Sequence, residues 1–201
     1  MSPPPPPPPP PATTDSKPNN TTPPPSPPVP PTGASGSSLV NLLIYNGHPF
    51  NDHWAYFVQS CTCKSIGVKI HATGSVRTGF LFEVKRRHDL RNTADVPTQV
   101  VPLQWVSGMF FDEGAMLGSE HGVGEEGVVD TEAVCGFERA LKSVGVPGKS
   151  LRGVEDAPRE RAGRRITQRD CQTWIVESAE QLVRDGIFME DVADYLRAIQ
   201  Q

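Results

Sequence analysis

An α+β domain carried behind a proline-rich tail is the fold class that this sequence predicts. Three observations predict it. Of the 22 prolines, 17 lie before residue 32; five short β-prone segments fall between residues 39 and 106; helix-period segments follow from residue 131. Strands first and helices after, without strict alternation, is the α+β pattern.

Residues 1–38 read as a disordered tail. They contain an unbroken proline run from Pro3 to Pro11, only Asp15 and Lys17 as charges, and almost no apolar side chain. Such a segment cannot bury enough surface to offset the entropy of ordering it. Its prolines favour the polyproline II conformation, extended by ~3.1 Å per residue. Residues 39–201 then have a normal length for one domain.

The first strand is Leu39–Tyr45, a buried run closed by the turn pair Asn46-Gly47. His53–Gln59 follows, with His53, Ala55 and Phe57 on one face and Trp54, Tyr56 and Val58 on the other. Gly67–Ala72 sets Val68 and Ile70 against Lys69 and His71, and Phe80–Lys85 sets Phe80, Phe82 and Val84 against Leu81, Glu83 and Lys85. In the fifth strand, Gln99–Val106, Pro102 restricts pairing to an edge or a bulge. Ser107–Asp130 and Gly148–Gly163 lack periodicity and read as loops. Thr131–Val144 reads as a helix through Val134, Phe137, Leu141 and Val144. The clearest helix is Cys171–Arg184, with Asp170 as its N-cap, Gly186 as its stop and an apolar stripe through Trp174, Ile175 and Leu182. Glu190–Ile199 is the last helix.

Charge and composition exclude several classes. The net charge of −4 lies wholly outside the tail, which argues against the basic stripe of a nucleic-acid protein. No basic-apolar leader opens the sequence, and no apolar run approaches the ~20 residues of a membrane span. The expectation is a soluble cytoplasmic protein whose four cysteines are reduced.

Candidate chemistry centres on Cys171, His53 and His71. A cysteine in the first turn of a helix feels the positive end of the helix dipole, which favours thiolate. A cysteine nucleophile also needs a base and a group that orients the base, commonly distant in sequence. His53 and His71 lie on short strands 18 residues apart, and Cys171 opens a helix 100 residues later. Core packing is the competing reading of Cys171.

HWAYFV at 53–58, KIHATG at 69–74 and DCQTW at 170–174 together resemble the lecithin:retinol acyltransferase-like family, in the circularly permuted branch of NlpC/papain-like thiol enzymes. The resemblance implies a permuted papain-like domain with a small antiparallel sheet packed against helices. It implies His53 as general base, His71 as orienting group and Cys171 as nucleophile. The implied activity is cysteine-dependent hydrolysis or acyl transfer on an ester, thioester or amide, through a thioester acyl-enzyme and with no cofactor or metal. Asp170 stands where the family has asparagine, Gln172-Thr173-Trp174 replaces Glu-His-Phe, and Asn51 stands where relatives often have tyrosine, offering an amide toward an oxyanion. Related permuted isopeptidases act on proteins, so a small acyl substrate and a peptide both stay open. The whole chain also resembles an uncharacterised group of fungal proteins sharing HWA, IH and CQTW, which implies no function. A catalytically silent binding domain is the rival from another class.

Other signals carry less. Gly122–Gly127 matches a dinucleotide-binding string but follows no strand, and its glutamates would repel a pyrophosphate. Cys61 and Cys63 lack a second pair at zinc spacing and read as exposed loop thiols, and Cys135 reads as core. Arg86, Arg87, His88 and Arg91 read as a solvated basic turn, the alternative being an acidic-substrate patch. His48 and His121 receive no role. Residues 3–31 offer polyproline to an SH3-, WW- or profilin-type partner, or serve as a spacer.

Overall fold

A computed structural model describes residues 24–91, 94–118, 128–149 and 169–201. Six strands form one antiparallel sheet: β1 (Ser37–Tyr45), β2 (His53–Gln59), β3 (Ile66–Ser75), β4 (Gly79–Asp89), β5 (Gln99–Ser107) and β6 (Val129–Asp130). Their order across the sheet is β5-β1-β2-β3-β4-β6. Among the described residues four α-helices join it: α1 (Glu113–Leu117), α2 (Gly136–Ser143), α3 (Cys171–Arg184) and α4 (Glu190–Ile199). The α+β class expected from the sequence is the class observed.

Pro102 meets both of its restrictions at once. β5 is an edge strand, and its register against β1 slips between Val40, opposite Gln104, and Asn41, opposite Pro102. The bulge removes the need for an N–H that proline lacks.

The segment 107–130, expected as a loop, carries more structure. A 3-10 turn spans Gly108–Phe110, α1 is capped by Asp112 accepting from the Ala115 N–H, and β6 pairs with β4. A five-residue helix is too short to show periodicity, which hid it. α2 starts at Gly136 rather than Thr131. The intervening backbone is held by side chains instead: Asp130 Oδ1 accepts from the Thr131 and Glu132 N–H groups, and Glu138 Oε2 accepts from the Val134 N–H.

The sheet has two covered faces. Trp54, Tyr56, Val68, Ile70, Phe82 and Val84 pack with the helices, where Tyr56 OH donates to the Ile175 carbonyl at 2.9 Å. On the other face Leu43, Tyr45, Ala55 and Phe57 form a smaller cluster with Leu90. The β2 faces fall as alternation predicts. Alternation gives no sign, however, that the polar side of β3 is enclosed: Lys69 is 1% and His71 4% exposed. Lys69 survives there because Asp95 lies 2.7 Å from its Nζ and the Tyr45 ring lies under it.

The solvated basic turn holds for Arg87 and Arg91, which are exposed, and fails for the other two. Arg86 and His88 lie within β4 and are buried, and Arg91 pairs with Asp89. Arg86 spends its guanidinium on Glu138, Asp130 and the carbonyls of Met116 and Glu132, tying β4 to β6, α1 and α2. That leaves it no group for an acidic substrate.

The tail read over 1–38 lies outside the described residues as far as 23, and β1 begins two residues before the expected boundary. Gly122–Gly127, His121 and most of Gly148–Gly163 also lie outside them. Among the described residues, no helix is long and apolar enough to cross a membrane.

Candidate active site

The site forms where α3 begins and β2 and β3 part. Asp170 caps α3 through a capping box, its Oδ1 accepting from the Thr173 N–H at 2.9 Å while Thr173 Oγ1 accepts from the Asp170 N–H. That makes Cys171 the first helical residue. The β2–β3 ladder stops at the Tyr56–Ile70 pair, so residues 53–55 have no partner across from them on β3. Into this gap comes the thiol: Cys171 Sγ donates to the Asp52 carbonyl at 3.9 Å, and the Trp54 N–H lies near enough to help hold the thiol's pKa down. Both peptide groups flank His53.

A second network fastens the chain entering β2 to the helix start. Gln172, fully buried, donates through Nε2 to the Asp52 carbonyl at 2.9 Å. Gln201 accepts from the Asp52 N–H at 2.8 Å and donates to its Oδ2 at 3.2 Å. The Asn51 amide donates to Asp170 Oδ2 at 3.1 Å, so it is engaged with the cap rather than open toward an oxyanion.

The two histidines meet. His53 Nε2 lies 2.7 Å from His71 Nδ1, and His71 Nε2 lies 2.9 Å from Glu83 Oε1. The chemistry of the end member orders the protons. A carboxylate only accepts, so His71 carries its proton on Nε2 and offers a lone pair at Nδ1. His53 must then donate from Nε2, which leaves its own lone pair at Nδ1. Among the described residues, that Nδ1 makes no hydrogen bond.

Electrostatics keep both rings neutral. Burial, then the Lys69 ammonium, lowers His53 to about 4 and His71 to about 2. The His71–Glu83 contact is therefore a hydrogen bond from a neutral ring. The thiol departs from expectation. Burial pushes Cys171 up and the Asp170 carboxylate adds to this, while the backbone N–H groups of Trp54, Gln172 and Cys171 pull the other way. At 8% exposure, desolvation outweighs the helix terminus.

The structure therefore joins His53 to His71 and brings Cys171 beside the backbone of His53. No hydrogen bond links the thiol to either imidazole among the described residues. Glu83 is the member that sequence reasoning passed over. Its signal was the β3–β4 hairpin: the turn at 76–78 sets His71 directly opposite Glu83.

The remaining cysteines are free. Cys61 is exposed and hydrogen-bonds through Sγ to Glu113, Cys63 is half-buried, and Cys135 packs in the core. Among the described residues, no group of three or more His, Cys, Asp or Glu side chains is arranged to hold a metal ion.

Residues 40–189 match the model of a family of unknown function, DUF6540. No curated protein and no solved structure matches the chain.

Proposed function

We propose that this chain, which belongs to the DUF6540 family of unknown function, is a cysteine-dependent hydrolase or acyltransferase on a permuted papain-like scaffold. The observation that carries the reading is the ordered chain Glu83–His71–His53, which leaves a lone pair at His53 Nδ1 on the strand end where the Asp52 carbonyl meets the Cys171 thiol.

In this reading the carbonyl carbon of an ester, thioester or amide enters beside Sγ. His53 Nδ1 takes the thiol proton as the S–C bond forms, and the carbonyl oxygen becomes an oxyanion. Backbone N–H groups at the start of α3 face that charge. Collapse expels the leaving group, which takes the proton from His53, and a thioester remains on Cys171. Water or an acceptor alcohol or amine then gives its proton to His53, attacks the thioester and restores the thiol. The thiol and imidazole are both neutral at rest, so the proton moves when substrate arrives rather than beforehand.

A second reading, a catalytically silent binding domain, draws support from the burial of Cys171 and its lack of a hydrogen bond to His53. One experiment separates the two: the pH dependence of iodoacetamide alkylation at Cys171, located by mass spectrometry, in wild type, His53→Ala and His71→Ala. The enzyme reading expects Cys171 alkylation to fall strongly in His53→Ala and less in His71→Ala. Alkylation that is slow in wild type and the same in both variants would sink it and leave Cys171 as core packing.

A further inference from the structure

The last prolines before β1, from Pro27 onward, are held against the domain. Trp105, on edge strand β5, donates its indole N–H to the Pro30 carbonyl at 2.9 Å. Gly33 lies so close over the indole that a Cβ there would stand 2.3 Å from Trp105 Cδ2, so only glycine permits the approach. Pro27 and Val29 are half-buried while Pro28 and Pro30 stay exposed, so the segment rests on the domain by one side. Past Gly33, the Ser37 N–H and hydroxyl both bind the Ala34 carbonyl and turn the chain into β1.

We propose that the Trp105 face of β5 is a polyproline-binding site and that residues 27–31 of the same chain are its resident ligand. The chemistry matches on both sides. A proline-rich strand in polyproline II form has no internal hydrogen bonds, so its carbonyls are available and little entropy is lost when it docks. An aromatic plane with one projecting N–H is the complement of that surface. Because Trp105 stands opposite Leu39, only six residues after Gly33, the tether holds the ligand at high effective concentration. A groove of about 350 Å³ lies between Pro31–Ala34 of the segment and Leu39, Gln59, Lys64 and Trp105 of the domain. The site is separate from the thiol and does not depend on its chemistry. It also takes in cis the carbonyl that an SH3-, WW- or profilin-type partner would otherwise read on this part of the tail.

Hydrogen exchange of the indole N–H groups in the full chain tests this, with Trp105→Phe identifying which of the three signals is lost. The Trp105 signal should exchange about tenfold more slowly than a free indole, the protection one hydrogen bond of ~1.4 kcal/mol confers. The combined variant Pro27→Ala, Pro28→Ala, Pro30→Ala, Pro31→Ala should exchange at the free rate, with the Trp54 and Trp174 signals reporting an intact fold. A synthetic peptide of residues 24–32 added to that variant should restore the protection. Free-rate exchange in wild type overturns the proposal whatever the variant does. So does slow exchange that the four substitutions leave unchanged, or a peptide that leaves the Trp105 signal unmoved.

Discussion

His71 stands directly opposite Glu83 across the β3–β4 hairpin, and the 2.9 Å contact between them decides which nitrogen of a third residue, His53, can accept a proton. Neither ring is charged in the folded protein, so the ordering works through hydrogen-bond direction rather than through an ion pair.

Glu83 should accordingly behave as a positioning residue. In Glu83→Ala, His71 loses its fixed tautomer and His53 is released to populate both. Long-range proton–nitrogen spectra should show His53 protonated at Nε2 in wild type and as a mixture in the variant. Cys171 alkylation should fall by about tenfold, the equivalent of one hydrogen bond. An unchanged histidine spectrum would remove Glu83 from the site.

Stability should fall on the acid side. His53 and His71 titrate near 6.5 when unfolded, but the folded values are pushed down to about 4 and about 2. Between those limits the unfolded chain binds more protons, so stability is full above pH ~6.5 and is lost progressively as pH drops through the window. For His53 the loss reaches about 3 kcal/mol at most by pH ~4. Urea denaturation at a series of pH values checks this, and His53→Gln should flatten the slope.

The Arg86–Glu138 pair should matter to the fold and not to the thiol. Glu138 is fully buried and meets Arg86 through both oxygens, at 3.0 and 3.2 Å. Glu138→Ala leaves a buried guanidinium short of its partner and should cost about 3–5 kcal/mol in chemical denaturation. Replacing both residues together, Arg86→Met with Glu138→Leu, should recover part of that loss. The pH profile of Cys171 alkylation should keep its shape in the folded double variant.

Asp170→Asn separates the cap from its charge. Asparagine caps a helix about as well as aspartate, so stability should stay within about 0.5 kcal/mol. The carboxylate that helps hold the thiol up is gone, so the Cys171 pKa should drop and alkylation near neutral pH should quicken by roughly threefold. Slower alkylation would mean that the Asn51 contact, rather than the charge, governs the thiol.

Local chemistry was legible in the chain itself. β2, α3 and α4 have the bounds that alternation, helical spacing, Asp170 and Gly186 announce, because each signal acts within about four residues of itself. Pro102 likewise declared its edge and its bulge. Only the tertiary structure decided the rest. The pairing that lets Lys69 be buried depends on Asp95, and the burial of Arg86 depends on Glu138. The choice of Glu83 depends on hairpin register, and the rise of the Cys171 pKa on what packs over it. Desolvation and proton order are properties of surroundings built from distant residues. Asn51 and Asp170 meet across 119 positions, and no pattern along the chain encodes what such a meeting does to the thiol between them.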